Sequence, residues 1–474
     1  MINLDRNHIP DHVQTIHLTA VCGTGMGALA CMLKDLGFKV TGSDRNVYPP
    51  MSDFLARKGI TVAGSFTERN LADKPDLVVV GNAVTADNPE ARALAGLKLN
   101  FCSMPQAINH YIAAGKRLIV ITGTHGKTTT ASLVAWMLHQ AGLDPSFIIG
   151  GILNDFNSNY RLGKGRYIVI EGDEYDTAFF DKGPKFLHYP PHLAVLTGVE
   201  FDHADIFQDL DHVRRTFGAF IAAIPKDSTL FAFDGNPDVT QLSASAACRV
   251  VKYGRQPESP WRLGDHTVHP PWTDFSILHR GKRYQTFRTG LVGEHNLHNA
   301  LSAIAIGHTL SIPQAVMAKA LKGFLGVKRR QEIRGVKRGI TIIDDFAHHP
   351  TAVRETIRAI RPFCNPGRLI AVFEPRTNSS MRKVFQDIYP RSFTLADLVC
   401  IRKPPLLEKI PIGDRFSSEK LVDDLKRGGQ AAHYFPDTDG IIDFLVAEAK
   451  AGDVILVMSN GGFDNIHEKL LNTL

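Results

Sequence analysis

Residues 118–130, Leu-Ile-Val-Ile-Thr-Gly-Thr-His-Gly-Lys-Thr-Thr-Thr, constrain this chain more than any other stretch. Four consecutive apolar residues rich in β-branching predict a buried strand, and Leu133, Val134, Met137 and Leu138 share one face of a helix over 131–142. The glycine loop between them opens a helix N-terminus. Backbone N–H groups there lack intrahelical partners and sit at the positive end of the helix dipole, which suits phosphate oxygens. Lys127 adds a full charge for β- and γ-phosphates, and the Thr128 hydroxyl can ligate the Mg2+ that accompanies them. The general phosphate-loop spacing would need glycine at 121, where the chain has Ile121. With a strand before it, two glycines within it and a helix after it, the shorter loop still predicts nucleotide binding by Gly123, Thr124, His125, Gly126, Lys127, Thr128 and Thr129.

A second glycine-rich turn lies near the N-terminus. Residues 16–21 read as a strand, 22–28 as Cys-Gly-Thr-Gly-Met-Gly-Ala, 28–36 as a helix, and 38–41 as a strand ending in Gly42-Ser43-Asp44. Gly-x-Gly-x-x-Ala with an acidic residue about 20 positions on is the dinucleotide fingerprint, so one reading is an NAD(P)-dependent dehydrogenase. The physics of the fingerprint asks only for a pyrophosphate at a helix N-terminus and a hydroxyl-bearing sugar near Asp44. A UDP-sugar supplies both.

At 474 residues the chain is too long for one core and suits three domains. The net charge of +6, with no dense Lys/Arg run, fits small acidic substrates and gives no reason to expect nucleic acid. Six cysteines without C-x-x-C pairs suggest a reducing cytoplasm. The N-terminus carries Asp5, Arg6 and Asp11, unlike a signal peptide, and no apolar run is long enough to span a bilayer.

Further along, strand 167–170 runs into Glu171-Gly172-Asp173-Glu174-Tyr175-Asp176, and strand 193–197 leads to Val199-Glu200-Phe201-Asp202-His203-Ala204-Asp205. Carboxylates just past a buried strand suit a hard cation. The polar stretch 234–288, with prolines at 237, 257, 260, 270 and 271, predicts short antiparallel strands at a domain edge. Asn296 and Asn299 share a face near the start of a helix. Their amides suit an adenine edge, or serve as caps. Strand 340–343 leads to Asp344-Asp345-Phe346-Ala347-His348-His349-Pro350-Thr351 and a helix, and strands 369–373, 397–401 and 454–458 complete a doubly wound sheet.

These segments together resemble the Mur ligase family, the amino-acid-adding enzymes of peptidoglycan synthesis. The resemblance runs over nearly the whole chain and is weakest over 255–290. It implies an α/β, three-domain architecture. A Rossmann-like UDP-sugar-binding domain would span 1–115, a P-loop-like central ATPase domain 116–326, and a doubly wound C-terminal ligase domain 327–474. Gly23, Thr24, Gly25, Met26, Gly27, Ser43 and Asp44 would hold the UDP-sugar, and Thr128, Glu171 and His203 the Mg2+. Choosing Glu171 over Glu174 rests on the resemblance. Asn296 and Asn299 would meet adenine, Asp345 the ribose, and Arg330 would reach ATP from the last domain. Many family members carry a carbamylated lysine near a second metal, and no equivalent stands out here.

Residues 374–379, 458–463 and 46–51 are similar to the murein peptide-ligating branch, and the branch adding free L-alanine has different loops at the first two. The implied activity is ATP-dependent joining of L-Ala-γ-D-Glu-meso-diaminopimelate to UDP-N-acetylmuramate through an acyl phosphate, in peptidoglycan recycling. L-Alanine addition is the alternative. Lys127 and Arg330 would stabilise the transferring phosphoryl group, with Glu171 and His203 placing metal beside it. His348 would orient the amine or accept its proton. Arg376, Asn378 and Ser459 would grip the peptide carboxylates, although Arg376 could pair with Glu374. A dehydrogenase leaves 123–128, Glu171, His203 and Asp345 without a role. Because ATP residues come from two domains, the motif order predicts closure of the C-terminal domain.

Overall fold

The computed structural model describes residues 2–364 and 366–474. The chain forms two compact units. One comprises the chain through Val199 with Arg214–Arg262 and Ser302–Ala320, and the other Glu200–Val213, Leu263–Leu301 and Leu321–Leu474.

The first unit contains one parallel sheet and the strands of a second, largely parallel one. The N-terminal sheet has the order Thr61–Ala63, Lys39–Ser43, Thr15–Thr19, Leu77–Val80, Phe101–Ser103, all parallel. The helix after its central strand spans Thr24–Asp35, four residues earlier than the sequence pattern predicts. Gly25 and Gly27 therefore lie inside the helix. A Cβ on Gly25 would come within 2.7 Å of the Met104 methyl, and one on Gly27 within 3.2 Å of the Val21 carbonyl oxygen. Packing against the Val21 backbone thus restricts Gly27, whereas at Gly25 only the movable end of Met104 stands in the way.

In the second sheet of this unit the order is Arg249–Gly254, Thr229–Phe233, Leu193–Leu196, Arg117–Thr122, Tyr167–Gly172, Ser146–Leu153, Ser158–Arg161. All pairs are parallel except the closing hairpin of Ser146–Leu153 with Ser158–Arg161. Arg117–Thr122 lies between Leu193–Leu196 and Tyr167–Gly172, so the ends of three buried strands converge at Thr122, Gly172 and Leu196. Ligands of open α/β sheets bind at such a place. Within the proline-rich stretch, Pro237 begins a helix, Pro237–Ser243, because the Asn236 side chain accepts from Val239 N at 3.0 Å.

The second unit carries a six-stranded sheet ordered Glu332–Lys337, Ile340–Asp345, Val454–Met458, Leu369–Phe373, Leu398–Arg402, Ala432–Phe435. Its first pair is antiparallel and the rest are parallel. Alternate residues point to opposite faces. Leu369, Ala371 and Phe373 pack with Val353, Ile357 and Tyr389, whereas Ile370 and Val372 pack with Ile441, Leu445 and Ile466. Helices thus cover both faces, as the doubly wound expectation requires. The unit also holds a hairpin of Trp272–His279 with Lys282–Thr289. Its strands are eight residues each, longer than expected, and Phe275 stacks on Phe287 with centroids 5.8 Å apart. No described helix is long and apolar enough to cross a membrane.

Candidate active site

The loop after Arg117–Thr122 is built for close approach. Gly123 and Gly126 take φ of +125° and +80°, and Gly126 is the N-cap of the helix Lys127–Gln140. That helix starts four residues before its predicted onset, so Lys127, Thr128 and Thr129 form its first turn. Thr124 N donates to Gly198 O at 2.9 Å, and the Thr197 hydroxyl donates to the carbonyls of His125 and Thr122, fixing the loop to the neighbouring strand end.

Two glutamates serve this loop, each in its own way. Glu171 pairs with Ile121 across the strands and places its carboxylate beside the helix start, where Thr128 Oγ1 donates to Oε2 at 3.1 Å and Gly150 N to Oε1 at 2.6 Å. Glu174 instead meets Lys127, whose Nζ donates to Oε1 at 3.1 Å and Oε2 at 2.8 Å. Burial works against the charge of Lys127, but the carboxylates of Glu174, Asp173 and Glu171 outweigh it and raise its pKa. Lys127 is therefore fully charged.

At the N-terminal turn, Gly23 and Thr24 are exposed and Met26 and Gly27 are buried. Asp44 reaches back to this turn: Cys22 N donates to Oδ2 and Asn46 N to Oδ1, both at 2.9 Å. Ser43 is buried, and its hydroxyl donates to Glu90 Oε2 at 2.7 Å. Glu90 also accepts from Thr19 and Asn70, at 2.7 and 2.6 Å. No sequence motif marked Glu90. A glutamate near the start of a helix reads as an ordinary first-turn acid.

The remaining expected residues lie in the second unit. His203 has φ of +52°, and its N–H donates to Asp202 Oδ1 at 2.7 Å. The Asp202 carboxylate lies 3.8 Å from His348 Nε2. Burial disfavours its ionisation, but the imidazoles of His348, His203 and His349 outweigh that and hold Asp202 well below the usual carboxylate range. His348 Nδ1 is 2.9 Å from Phe346 O; a carbonyl can only accept, so Nδ1 carries the proton and Nε2 faces Asp202.

Asp345 is buried and accepts from Gln331 N at 2.9 Å and Ala347 N at 2.7 Å. Burial pushes its carboxyl up, against the pull of Arg330. The Arg330 guanidinium sits 4.6 Å from the centroid of Phe346. Asn296 and Asn299 are both buried and bonded together, Nδ2 of Asn299 donating to Oδ1 of Asn296 at 3.1 Å. Asn378 is exposed and donates to Asp205 at 2.8 Å. Ser459 is buried, donating to Glu374 at 2.7 Å and accepting from Gly461 N at 2.9 Å. Arg376 NH1 lies 3.6 Å from Glu374 Oε2, an oxygen that Arg402 already occupies. Sequence reasoning did not single out Arg402 or Arg329. The latter donates to the carbonyls of Ser459 and Gly461, each at 2.6 Å.

A phosphate-type loop beside strand-end carboxylates, a glycine-rich helix start on its own Rossmann-like sheet, and a further doubly wound sheet make up an α/β architecture, and comparison with known proteins gives its class, the ATP-dependent ligases. Residues 15–116 match the Mur ligase family catalytic domain, 121–307 the Mur ligase middle domain, and 329–461 the Mur ligase glutamate ligase domain. The chain is 39% identical over 460 residues to the UDP-N-acetylmuramate–L-alanyl-gamma-D-glutamyl-meso-2,6-diaminoheptandioate ligase of Escherichia coli (strain K12), covering 97% of this chain and 98% of that protein. It is 30% identical to the UDP-N-acetylmuramate–L-alanine ligase of Acetivibrio thermocellus, covering 98% and 96%. Among solved structures, a murein peptide ligase from Psychrobacter arcticus matches with a TM-score of 0.72 and 33% identity over 97% of this chain and 98% of that one. The chain belongs to the Mur ligase family.

Proposed function

We propose that this protein joins the amine of L-Ala-γ-D-Glu-meso-diaminopimelate to the lactyl carboxylate of UDP-N-acetylmuramate, with ATP converted to ADP and phosphate. The observation that carries this reading is the 39% identity over nearly the full length of a ligase whose name states both substrates. The L-alanine ligases are about as fully covered but less similar, at 30–32%.

An amide does not form from a carboxylate and an amine at neutral pH without activation. A carboxylate oxygen attacks the γ-phosphorus of ATP, ADP leaves, and the resulting acyl phosphate is attacked at its carbonyl carbon by the neutral amine, expelling phosphate. In our reading Gly23 and the first turn of the helix Thr24–Asp35 hold the pyrophosphate of UDP and Asp44 a sugar hydroxyl. Gly123–Thr129 cradles the ATP phosphates, with Lys127 and Arg330 countering the charge of the transferring group. His348, whose Nδ1–H is held by the Phe346 carbonyl, is proposed to orient the amine or, when Nε2 is unprotonated, to take its proton there.

The Thr128 hydroxyl and Glu171 carboxylate, 3.1 Å apart, are hard oxygen donors of the kind Mg2+ takes, and His203 is proposed to complete the set. The ion supplies positive charge that lets two anions approach. Arg376 and Asn378, both reaching the surface, are proposed to meet the peptide carboxylates together with Ser459, which is bonded to Glu374. Six free, buried cysteines support a reducing cytoplasm as the site of action.

The test is ADP release from Mg-ATP and UDP-N-acetylmuramate with tripeptide in one reaction and L-alanine in another, with product masses read afterwards. Turnover with tripeptide alone is expected. Turnover with L-alanine alone would assign the other branch.

A further inference from the structure

We propose that Gln331 reads the adenine base, its carboxamide NH2 donating to a ring nitrogen; this rests on the reading that ATP is the substrate. The Val292 carbonyl can only accept, so Asn296 must present its amide nitrogen there, at 2.8 Å. The same nitrogen lies 3.1 Å from Gln331, which must therefore present Oε1 to it. Asn296 Oδ1 accepts in turn from Asn299. This chain of donors leaves Gln331 Nε2 buried, with no hydrogen-bond partner among the described residues. A donor so placed is unfavourable until an acceptor arrives.

Through its side chain Gln331 touches the expected adenine residue Asn296, and through its backbone N–H it bonds Asp345, the expected ribose residue. Asp345 Oδ2 accepts that one bond and retains a lone pair. No other described residue is bonded to both. As a residue Gln331 is only half-buried.

Arg329 and Gln331 take φ of +62° and +51°, so two non-glycine residues in the left-handed region flank Arg330. Such conformations persist where the surroundings impose them, and they gather at ligand clamps. Here Arg329 is held by the carbonyls of Ser459 and Gly461, and Gln331 by Asp345 and Asn296. A single turn therefore sets Arg330 against Phe346 and points Gln331 at the asparagine pair.

Adenine N1, N3 and N7 are acceptors only, the complement of an NH2 donor. The experiment compares KM for ATP with KM for 1-deaza-, 3-deaza- and 7-deaza-ATP in the wild type, Gln331→Met and Gln331→Glu. Glu keeps the acceptor facing Asn296 while removing the donor, and it guards against a Met variant that fails to fold. The wild type is expected to lose about 3- to 10-fold on one analogue, the worth of a neutral hydrogen bond. Both variants are expected to lose that penalty alone, with the other two penalties and KM for UDP-N-acetylmuramate unchanged. A structural role for Gln331 would raise every nucleotide KM together, and that result, or penalties independent of residue 331, overturns the proposal. A wild type that releases no ADP from ATP overturns the underlying reading and this inference with it.

Discussion

The ammonium of Lys127 lies between both carboxylate oxygens of Glu174, at 3.1 and 2.8 Å, and the carbonyl of Gly123, at 2.6 Å. Glu174 is buried and Lys127 is largely covered, so removing the lysine strands the glutamate. Lys127→Met is expected to lower unfolding free energy by about 3–5 kcal/mol and to abolish ADP release. Adding Glu174→Gln should restore most of the stability and none of the activity. Urea denaturation of the two variants checks this, and equal stabilities would remove the pair from the account.

Glu90 makes a pH prediction. Its carboxylate is fully buried; burial raises its pKa, but hydrogen bonds from His17, Asn70, Ser43 and Thr19 outweigh this, and the net shift is downward. An unfolded glutamate titrates near ~4.3. A lowered folded pKa means that the stabilisation is complete above that value and is lost as pH falls through the folded pKa. Glu90→Gln should therefore be less stable at pH 7, with a flatter loss of stability below about pH 4.3. Denaturation midpoints at pH 7 and pH 3 for both proteins decide it, and parallel curves would contradict it.

Asp44 offers the UDP-sugar turn a carboxylate with each oxygen holding one backbone N–H at 2.9 Å, which leaves acceptor capacity for a sugar hydroxyl. Asp44→Ala is expected to raise KM for UDP-N-acetylmuramate by about 10- to 100-fold, as loss of a charge-assisted hydrogen bond does, and to leave KM for ATP unchanged. Equal effects on both substrates would mean that Asp44 acts through the fold.

What the sequence made legible was local. The strand, glycine loop and helix around Lys127 are neighbours in the chain, and their order alone carries the topology of the loop. Gly25 and Gly27 misled for the opposite reason. They look like turn residues but lie within the first turn of the helix Thr24–Asp35, where the Val21 carbonyl, brought close by the fold, crowds Gly27. The partnerships of the site are similarly long-range. Lys127 and Glu174 are 47 residues apart, Asn296 and Gln331 are 35 apart, and Glu374 and Arg402 are 28 apart. Periodicity places each on a strand end or helix start and carries no information on which charges meet. The resemblance selected Glu171, whose carboxylate accepts from the Thr128 hydroxyl, but offered nothing on Glu174 as the lysine's partner.

Two arginines near Glu374 should separate binding from stability. Glu374 is fully buried; Arg402 donates to its Oε2, Ser459 donates to Oε1, and the other Arg402 nitrogen donates to Asp464 at 2.6 Å. Arg376 stands 3.6 Å from Glu374, beyond a good hydrogen bond, with its side chain 31% exposed. The guanidinium of Arg376 can thus turn outward to a carboxylate, whereas that of Arg402 is committed to the interior. Arg402→Ala should cost about 3–5 kcal/mol of stability because it leaves Glu374 buried and poorly paired. Arg376→Ala should cost about 1 kcal/mol or less while raising KM for tripeptide by about 10- to 100-fold, as loss of a charged hydrogen bond implies. Its KM values for ATP and UDP-N-acetylmuramate should stay unchanged. Steady-state kinetics and thermal unfolding of both variants supply the comparison, and an unchanged tripeptide KM in Arg376→Ala would move the peptide grip elsewhere on the C-terminal sheet.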